Sequence, residues 1–547
     1  MPVDGVLLHK IVRELKRLEG QHLHQIYQPT SSDYYLLFEE SVRVCLRPDF
    51  PHVSIAKKER ASEKMPSSFT MFLRKELKGA KLLEVFQVGI DRTVGFVFEK
   101  FDEIEGVVRK ILYVEIMGVH SNMVLTRDGR ILDAHKRIVT RKREILPGKE
   151  YVLFPSGKVS LFELVELPER RNGSAKEVLM GLLEGFSSVS VEELLRRSGH
   201  DPDVGWDEVD REKLLLTLAE VKEEISKDEV YVYYEGSHPV EVSAFRFVSF
   251  PNPRLFRSAS EGLNEFVRWK EEKSTFDNLK RSLRKVVEDE LEKVEDLEEK
   301  LTVELQETRK MDHYKKLADL IVQNLWTLEN SSGKVTLVDW ETGEEVEVDV
   351  GKDPSQKAQE YYEIYKKLKR KREVVKERLE ELERERYYLS QLLQSIEDAE
   401  DVETLKEIEE EMRETGLMKE KTKEKVEKVK GGFREVTYKG FKILIGKNNK
   451  QNDELVRTSS KEDLWLHAHE IPGAHVVVRT GGREVPEDVL EFAASLAAGY
   501  SKGKDSGKVP VDYTLIKHVR KPRNAKPGMV LYTDYKTIVV RPRRLER

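Results

Sequence analysis

The chain has 547 residues, 36% of them charged and 39% hydrophobic, with a formal net charge of −6. This length is too great for one compact domain and predicts three to four domains, each with its own core. The single cysteine, Cys45, excludes an internal disulfide framework and a zinc site built from several cysteines. No apolar run reaches the ~20 residues of a membrane span, and residues 1–5 do not resemble a signal peptide. We therefore expect a cytoplasmic protein without a membrane partner.

Residues 1–171 have the pattern of a mixed α+β domain. Helices are predicted over residues 5–18 and 67–77, among short strands of alternating apolar residues. Asp128 and Gly129 separate two such strands, which predicts a hairpin turn. The predicted strands are 23–27, 34–38, 42–46, 53–55, 82–90, 93–98, 107–116 and 123–126.

Two polar features interrupt the predicted strands of this domain. Asp91 and Arg92 occupy a turn between apolar strands, where they form either a simple salt bridge or, through Arg92, a phosphate contact. Residues 115–122 place Gly118 where a backbone can pass closely, flanked by polar side chains. The alternative for this segment is an ordinary polar turn at the end of a strand. Neither pattern decides the function by itself.

The middle of the chain is predicted to be largely helical. Residues 172–228 form a small helical module, and residues 229–256 form a short linking strand pair. Over residues 257–430, apolar residues recur at near-heptad spacing in two arms, which predicts a coiled coil. A tip hairpin near 331–354 would let the arms pack antiparallel within one chain, as a rod about 100 Å long. A parallel coil between two chains is the alternative.

Residues 431–547 are predicted to form a separate C-terminal α/β domain, with strands around a helix at 486–500. From Lys502 onward there are thirteen Lys and Arg against four Asp and Glu. A basic tail on an acidic chain favours a nucleic-acid contact at this end. An ordinary solvated face has a similar composition and is the alternative.

The densest polar cluster of the chain lies in this domain. It comprises residues 448–453, then residues 463–469 with Trp465 and His467, and finally His475. Three histidines within nine residues raise the question of a metal site, but no cysteine is near, and the carboxylates would need a particular fold to converge. Amide, imidazole and indole groups beside a basic tail fit phosphate and base contacts better, so no metal is predicted. A polar turn with a satisfied tryptophan is the alternative.

Signature motifs of several enzyme classes are absent from the sequence. There is no G-x-x-x-x-G-K-[ST] loop, no G-x-G-x-x-G after a strand, no G-x-S-x-G elbow and no H-E-x-x-H. The sequence therefore predicts no cofactor, no catalytic residues and no enzyme with its own energy source.

Ordered motifs along nearly the whole chain resemble the NFACT family, which includes bacterial RqcH (also labelled FbpA) and eukaryotic NEMF. The motifs in the N-terminal domain are 1–5, 25–29, 91–92, 115–118 and 120–122. Those in the helical arms are 319–324 and 358–362. Those in the C-terminal domain are 448–449, 451–453, 463–467, 472–475 and 519–522. Chance does not account for so many motifs in the same order.

The resemblance implies four parts: an NFACT-N domain, a helix-hairpin-helix-like module, an antiparallel coiled coil and a C-terminal NFACT-R domain. It also implies a ribosome quality control factor that binds large (50S) ribosomal subunits carrying peptidyl-tRNA. Such a factor recruits charged tRNA for an untemplated C-terminal tail, alanine in bacteria, which marks the stalled nascent chain for degradation. A small RNA-binding accessory protein is a further candidate partner. Because the ribosome's RNA makes the peptide bond, we expect a scaffold rather than an enzyme.

The same resemblance assigns the candidate contacts at the two ends of the chain. The set expected to bind tRNA is Asp91, Arg92, Glu115, Met117, Gly118, His120 and Asn122. The set expected to face RNA at the ribosomal subunit is Asn448, Asn449, Gln451, Asn452, Asp453, Trp465, His467, His475, Arg520 and Lys521.

The sequence departs from the family pattern in two places. Residues 185–188 stand where a Gly-hydrophobic-Gly hairpin would bind phosphate, so nonspecific phosphate binding is not expected there. Pro2 is followed by Val3 rather than by the glutamate of the DNA glycosylases that the N-terminal half resembles. The alternative functions are a nucleic-acid glycosylase or lyase that uses the Pro2 amine, and a fibronectin-binding surface adhesin.

Overall fold

The computed structural model describes residues 3–57, 66–140, 143–153, 157–340, 342–419, 432–523 and 525–545. The motif residues Met1 and Pro2 therefore lie outside the described part of the chain. Two compact units are present, Met1–Glu272 and Lys273–Arg547, and each has its own cores. No helix in the described segments combines the length and apolarity needed to cross a bilayer.

The first part of the N-terminal unit is a helix followed by two antiparallel sheets. Its elements are α1 (Gly5–Leu15), β1 (Gln25–Thr30), β2 (Asp33–Leu37), β3 (Ser41–Cys45), β4 (His52–Ile55), α2 (Ser68–Leu77), β5 (Lys81–Gln87), β6 (Thr93–Asp102), β7 (Gly106–Glu115), β8 (Asn122–Arg127), β9 (Arg130–Ala134), β10 (Ile138–Val139) and β11 (Glu144–Ile145). One sheet has the order β1-β2-β3-β4 and the other is a meander of β5 to β9. Strands β10 and β11 form a separate hairpin.

Helix α1 begins at Gly5 because Asp4 caps it, its carboxylate accepting a hydrogen bond from the N–H of Leu7 at 2.8 Å. Its apolar residues recur at helical spacing, and Leu8 and Ile11 are fully buried in the main core of the unit. The helix packs against β4 of the first sheet and β5 of the second, so both sheets share one core with it.

The five-stranded meander brings the two polar features of this domain to one edge. In the β6–β7 pair, Thr93 lies opposite Glu115, so the turn before β6 is next to the end of β7. The N–H of Ile116 donates to the carbonyl of Arg92 at 2.8 Å. At the β8–β9 hairpin, Asp128 and Gly129 have φ angles of 49° and 77°, which confirms the predicted turn.

A helical module and a small sheet complete this unit. The elements are α3 (Ala175–Leu182), α4 (Ser188–Arg197), α5 (Arg211–Ser226), β12 (Val230–Glu235), β13 (His238–Ser243) and β14 (Arg254–Phe256). In the loop between α3 and α4, the Gly185 carbonyl accepts the N–H of Gly5 at 2.8 Å. A Cβ on Gly5 would lie 1.8 Å from the carbonyl oxygen of Ile90, so only glycine fits there. Residues 185–188, which stand where the family pattern has a Gly-hydrophobic-Gly hairpin, therefore make contacts within the protein.

Long helices and a tip hairpin form the first part of the C-terminal unit. The elements are α6 (Ala259–Glu307, which begins before the unit boundary), α7 (Lys310–Gln323), β15 (Lys334–Val338), β16 (Glu345–Asp349), α8 (Pro354–Asp398) and α9 (Val402–Glu414). Helices α6 and α8 run antiparallel, because ion pairs formed by later residues of α6 involve earlier residues of α8. These pairs are Arg284–Glu397, Glu298–Arg386 and Glu304–Lys371. With 49 and 45 residues, α6 and α8 are each about 70 Å long, and the first arm continues from α6 into α7.

The rest of the C-terminal unit is a six-stranded antiparallel sheet with the order β17-β18-β20-β19-β21-β24. The elements are β17 (Arg434–Tyr438), β18 (Phe441–Ile445), α10 (Asn449–Thr458), β19 (Leu464–Ala468), β20 (Val476–Arg479), α11 (Glu487–Gly499), β21 (Val509–Leu515), β22 (Val519–Arg520), β23 (Leu531–Tyr532) and β24 (Lys536–Val540). Alternate residues of β19 face opposite sides of the sheet. Leu464 and Leu466 pack with α11, whereas Trp465 packs in a second core with Leu455 of α10.

Candidate nucleic-acid interfaces

The predicted tRNA contacts Asp91 and Arg92 lie half-buried in the turn between β5 and β6. The Asp91 carboxylate accepts a hydrogen bond from the backbone N–H of Arg92 at 2.7 Å, and the amide of Gln87 donates to the Asp91 carbonyl at 2.8 Å. The Arg92 guanidinium forms no ion pair with any carboxylate in the described segments. The alternative of a simple turn salt bridge is therefore wrong, and this guanidinium is available to an anionic ligand.

Glu115 lies inside the domain rather than on the predicted tRNA surface. Its side chain is 3% exposed, and its carboxylate accepts hydrogen bonds from the Arg143 guanidinium and, at 2.7 Å, from the Tyr151 hydroxyl. The ring of Tyr151 stacks on Tyr113 with 4.2 Å between centroids, and its burial raises the pKa of the Tyr151 hydroxyl. This burial conflicts with a direct tRNA contact by Glu115, which instead fixes the end of β7.

The segment that follows β7 divides into exposed and buried residues. Gly118–His120 forms a 3-10 turn, with Gly118 at a φ of 59° and His120 exposed. Met117 is half-buried beside it. Asn122 is fully buried, and its amide donates to the carbonyl of Lys136 at 2.9 Å and accepts from the Lys136 N–H at 2.8 Å. Asn122 therefore anchors the exposed turn, and its expected contact with tRNA conflicts with this position.

The polar cluster at 448–453 forms the start of α10 and is largely buried. Asn448 caps the helix, accepting the N–H of Gln451 at 2.9 Å. The amides of Asn448 and Gln451 both donate to one carboxylate oxygen of Glu407 in α9, at 2.6 and 2.9 Å. These two residues therefore join α10 to α9.

The next two amides of the cluster also have partners within the protein. Asn449 donates to Glu411 at 3.0 Å, and the Tyr388 hydroxyl donates to the same oxygen at 2.9 Å. Burial raises the pKa of Glu411 to about 7. Asn452 accepts the backbone N–H of His475 at 3.0 Å. All four amide side chains are at most 4% exposed and hydrogen-bond within the protein, so the structure gives them a structural role that conflicts with the expected contact with RNA.

Trp465, His467 and His475 form a buried cluster of rings. The rings of Trp465 and His467 are nearly parallel, 5.7 Å apart, and the His475 ring is perpendicular to both. Burial lowers the pKa of His467 to about 4 and that of His475 well below its usual range, so both are neutral near pH 7. His469 instead donates a hydrogen bond from Nδ1 to the Asp512 carboxylate at 2.7 Å. Within the described ranges, no group of three or more His, Cys, Asp or Glu side chains could hold a metal ion.

The exposed predicted contacts of the C-terminal unit are cationic. Arg520 and Lys521 both face solvent, and Lys521 pairs with the half-buried Asp453. Sequence reasoning missed Glu407 and Glu411, which hold the amides, because they lie among many glutamates of the predicted coil. Nothing in the sequence distinguishes those two from their exposed neighbours.

Comparisons with known proteins match two consecutive parts of the chain. The family model for the NFACT N-terminal and middle domains matches residues 4–430, and that for the NFACT protein RNA binding domain matches residues 432–534. The Rqc2 homolog RqcH from Bacillus subtilis is 31% identical over 99% of this chain and 98% of its own length. The protein of the same name from Streptococcus suis is 32% identical over the same shares.

One of the solved structures that match is the C-terminal part of the fibronectin/fibrinogen-binding protein from Streptococcus suis. It is 33% identical, covers 49% of this chain and 96% of its own, and has a TM-score of 0.39. Both family models together span nearly the whole sequence, and the RqcH relatives match it from end to end. The chain therefore belongs to the NFACT family.

Proposed function

We propose that this chain is a ribosome quality control factor that binds large ribosomal subunits carrying peptidyl-tRNA. It recruits charged tRNA, first of all alanyl-tRNA, for untemplated tailing of the stalled nascent chain. The observation that carries the proposal is that one chain holds both NFACT domains and matches RqcH along its full length.

The N-terminal surface supports this proposal through chemistry that suits a phosphate backbone. The guanidinium of Arg92 forms no ion pair with a carboxylate in the part of the chain that the structure describes. A planar guanidinium can hold a phosphate through two hydrogen bonds. The exposed turn Gly118–His120 follows β7 at the same end of the sheet and adds the imidazole of His120. Arg92 and His120 thus supply a cation and a hydrogen-bonding ring from neighbouring turns of one sheet, which are groups that suit a tRNA contact.

The C-terminal unit supports a second, electrostatic contact. Arg457 and Arg520 project into solvent from the RNA-binding domain. Contacts of such cations with phosphates release counterions, so the affinity for rRNA should fall steeply with added salt. In this proposal the protein is a scaffold in the cytoplasm, and the ribosome's RNA forms each peptide bond. The contribution of the chain is proximity and orientation of the charged tRNA.

The test is purification of the tagged protein from its own cells, followed by sequencing of the bound RNA. We expect large-subunit rRNA without small-subunit rRNA, and enrichment of one or two tRNA species, which would also name the tail's amino acid. Arg92→Ala should lose the tRNA and keep the rRNA. Arg109→Ala is the matched control, since Arg109 is exposed on the same sheet and pairs with Glu99 at 3.0 Å. RNA no more abundant than in a mock purification would overturn the proposal.

A further inference from the structure

A cavity of about 590 Å³ lies in the C-terminal unit between α8 and the sheet. Its walls include Tyr387 and Ser390 of α8, Trp465 and His467 of β19, and Tyr532 of β23. This volume falls within the ~300–1,000 Å³ of typical small-ligand pockets. Because Trp465, His467 and His475 all line it, the cavity reaches the buried ring cluster.

Three ring nitrogens around this cavity are buried without hydrogen-bond partners. They are Nε1 of Trp465, Nε2 of His467 and Nδ1 of His475, and none has a partner in the described segments. The three side chains are 0%, 5% and 1% exposed. Buried polar atoms in native proteins are nearly always paired, and each unpaired one costs roughly 1–3 kcal/mol. Three such atoms beside one cavity indicate a polar ligand.

The chemistry of these nitrogens restricts what the ligand can be. The indole N–H of Trp465 is only a donor, whereas a neutral imidazole offers one donor and one acceptor. Both histidines are neutral because burial lowers their pKa values. A carboxylate or phosphate gains no charge attraction from neutral rings, and an aliphatic group would leave all three nitrogens unpaired. A planar ring with both donors and acceptors on its edge satisfies them.

Charges at the mouth of the cavity are balanced. Lys502 is exposed and has no ion pair in the described ranges, while Arg386 is paired with Glu298 at 3.1 Å. The carboxylates of Glu383 and Glu470 lie at the same mouth. A rim of balanced charge does not attract a phosphate backbone as a whole, although Lys502 can contact a single phosphate. Recognition at this cavity therefore depends on the ring rather than on the charge of the ligand.

We propose that this cavity binds one unstacked nucleobase of a single-stranded RNA segment. The inference rests on the proposed RNA-binding function and deepens it by assigning the base-binding pocket of the C-terminal unit. The base lies against the rings of Tyr387 and Tyr532, its edge faces the three nitrogens of the buried ring cluster, and Lys502 contacts a neighbouring phosphate. Splayed bases of single-stranded RNA are commonly bound by aromatic side chains in this way.

The experiment measures binding of the full chain to two fluorescent probes by anisotropy. One probe is a single-stranded pentauridylate, and the other is the same ribose-phosphate pentamer without bases. Ser390→Phe fills the cavity from α8, and Arg384→Phe places the same ring on the same helix at an exposed position outside it. A thermal melt of each variant checks that it is folded.

We expect the unmodified chain and Arg384→Phe to bind the pentauridylate at least about fivefold more tightly than the abasic pentamer, as base stacking predicts. Ser390→Phe should bind both probes equally. Equal binding of the two probes by the unmodified chain, or preserved discrimination in Ser390→Phe, would overturn the proposal. Competition by a tryptophan-containing pentapeptide but not by pentauridylate would also overturn it, in favour of a peptide site.

If Ser390→Phe does not fold, the comparison of the two probes on the unmodified chain still decides whether a base is bound, and a second pair of variants tests the phosphate contact of Lys502. Lys502→Glu should weaken binding of both probes, whereas Lys508→Glu, an exposed lysine of the same loop outside the cavity, should not. Equal effects of the two substitutions would overturn the role of Lys502. If rRNA and tRNA co-purify but the protein binds the two pentamers equally, the base-binding pocket is overturned and the proposed function stands. If no cellular RNA co-purifies, the proposed function fails regardless of the pentamers.

Discussion

The two ends of this chain carry polar motifs of similar composition, yet the structure uses them differently. At the N-terminal end, Arg92 and His120 remain accessible on a sheet edge. At the C-terminal end, Asn448, Asn449 and their neighbours are buried and hydrogen-bonded to carboxylates of α9. The difference lies in partners supplied by another part of the chain. A polar motif remains available to a ligand only where no such partner is supplied.

The largest effect should come from Glu115, an N-terminal residue that is buried and paired like the C-terminal set. Glu115→Ala leaves the buried Arg143 guanidinium without its carboxylate, which we expect to lower the free energy of unfolding by about 3–5 kcal/mol. The control is Glu99→Ala, which breaks the exposed pair with Arg109 and should cost under ~1 kcal/mol. Urea unfolding measures both, and equal losses would contradict the distinction between buried and exposed polar residues.

The second effect concerns pH at the C-terminal end. Burial raises the pKa of Glu411 to about 7, so between its ordinary value and pH 7 the folded state binds more protons than the unfolded chain. Stability should therefore fall as the pH rises through this window and stay low above it. Glu411→Gln should remove this loss and add about 1–3 kcal/mol at pH 8.

Urea unfolding at pH 5 and pH 8 tests this prediction. Glu414→Gln is the control, because Glu414 is on the same helix and is 59% exposed. Burial also raises the pKa of Glu241 to about 7. Because Glu241 is present in every variant, it contributes the same change of unfolding free energy with pH to all of them. An unchanged pH dependence in Glu411→Gln would show that Glu411 is not the group responsible.

A smaller effect is expected from the cap of α10. Asn448→Ala removes the hydrogen bond to the N–H of Gln451 and one of the two amide donors to Glu407, which should cost about 0.5–2 kcal/mol. Asn448→Asp keeps the capping acceptor but places a second carboxylate beside Glu407. It should therefore be no more stable than Asn448→Ala, in contrast to a solvent-exposed cap, where aspartate is as good as asparagine. Thermal melting distinguishes the two outcomes.

The smallest effect on stability should come from the residue with the greatest predicted functional effect. Arg92→Ala removes no ion pair and should change the free energy of unfolding by less than about 0.5 kcal/mol. Its loss of bound tRNA would then be a binding effect. A loss of stability above ~1 kcal/mol, measured by the same urea unfolding, would assign Arg92 a structural role instead.

Local sequence patterns predicted most of the elements but not their environment. The alternating strands, the Asp128-Gly129 turn and the hairpin between the long helices depend on neighbouring residues, and they occur as predicted. The burial of Asn449 depends on Glu411, 38 residues earlier, and that of Glu115 depends on Arg143, 28 residues later. Such pairings cannot be read from a single sequence, because each partner looks like any charged residue of its segment.

The contact between Gly5 and Gly185 has a consequence for synthesis of this protein. The first two N–H groups of α1 both donate to the Gly185 carbonyl, and Lys10 of the same helix donates to the carbonyl of Glu224 at 3.0 Å. A nascent chain cannot complete its first helix's contacts until more than two hundred residues have emerged. Long-range contacts of this kind delay folding, so α1 cannot complete its packing until most of the N-terminal unit has been synthesised. By the proposed function, a factor that deals with interrupted translation would itself be exposed as an unfinished fold if its own synthesis stopped early.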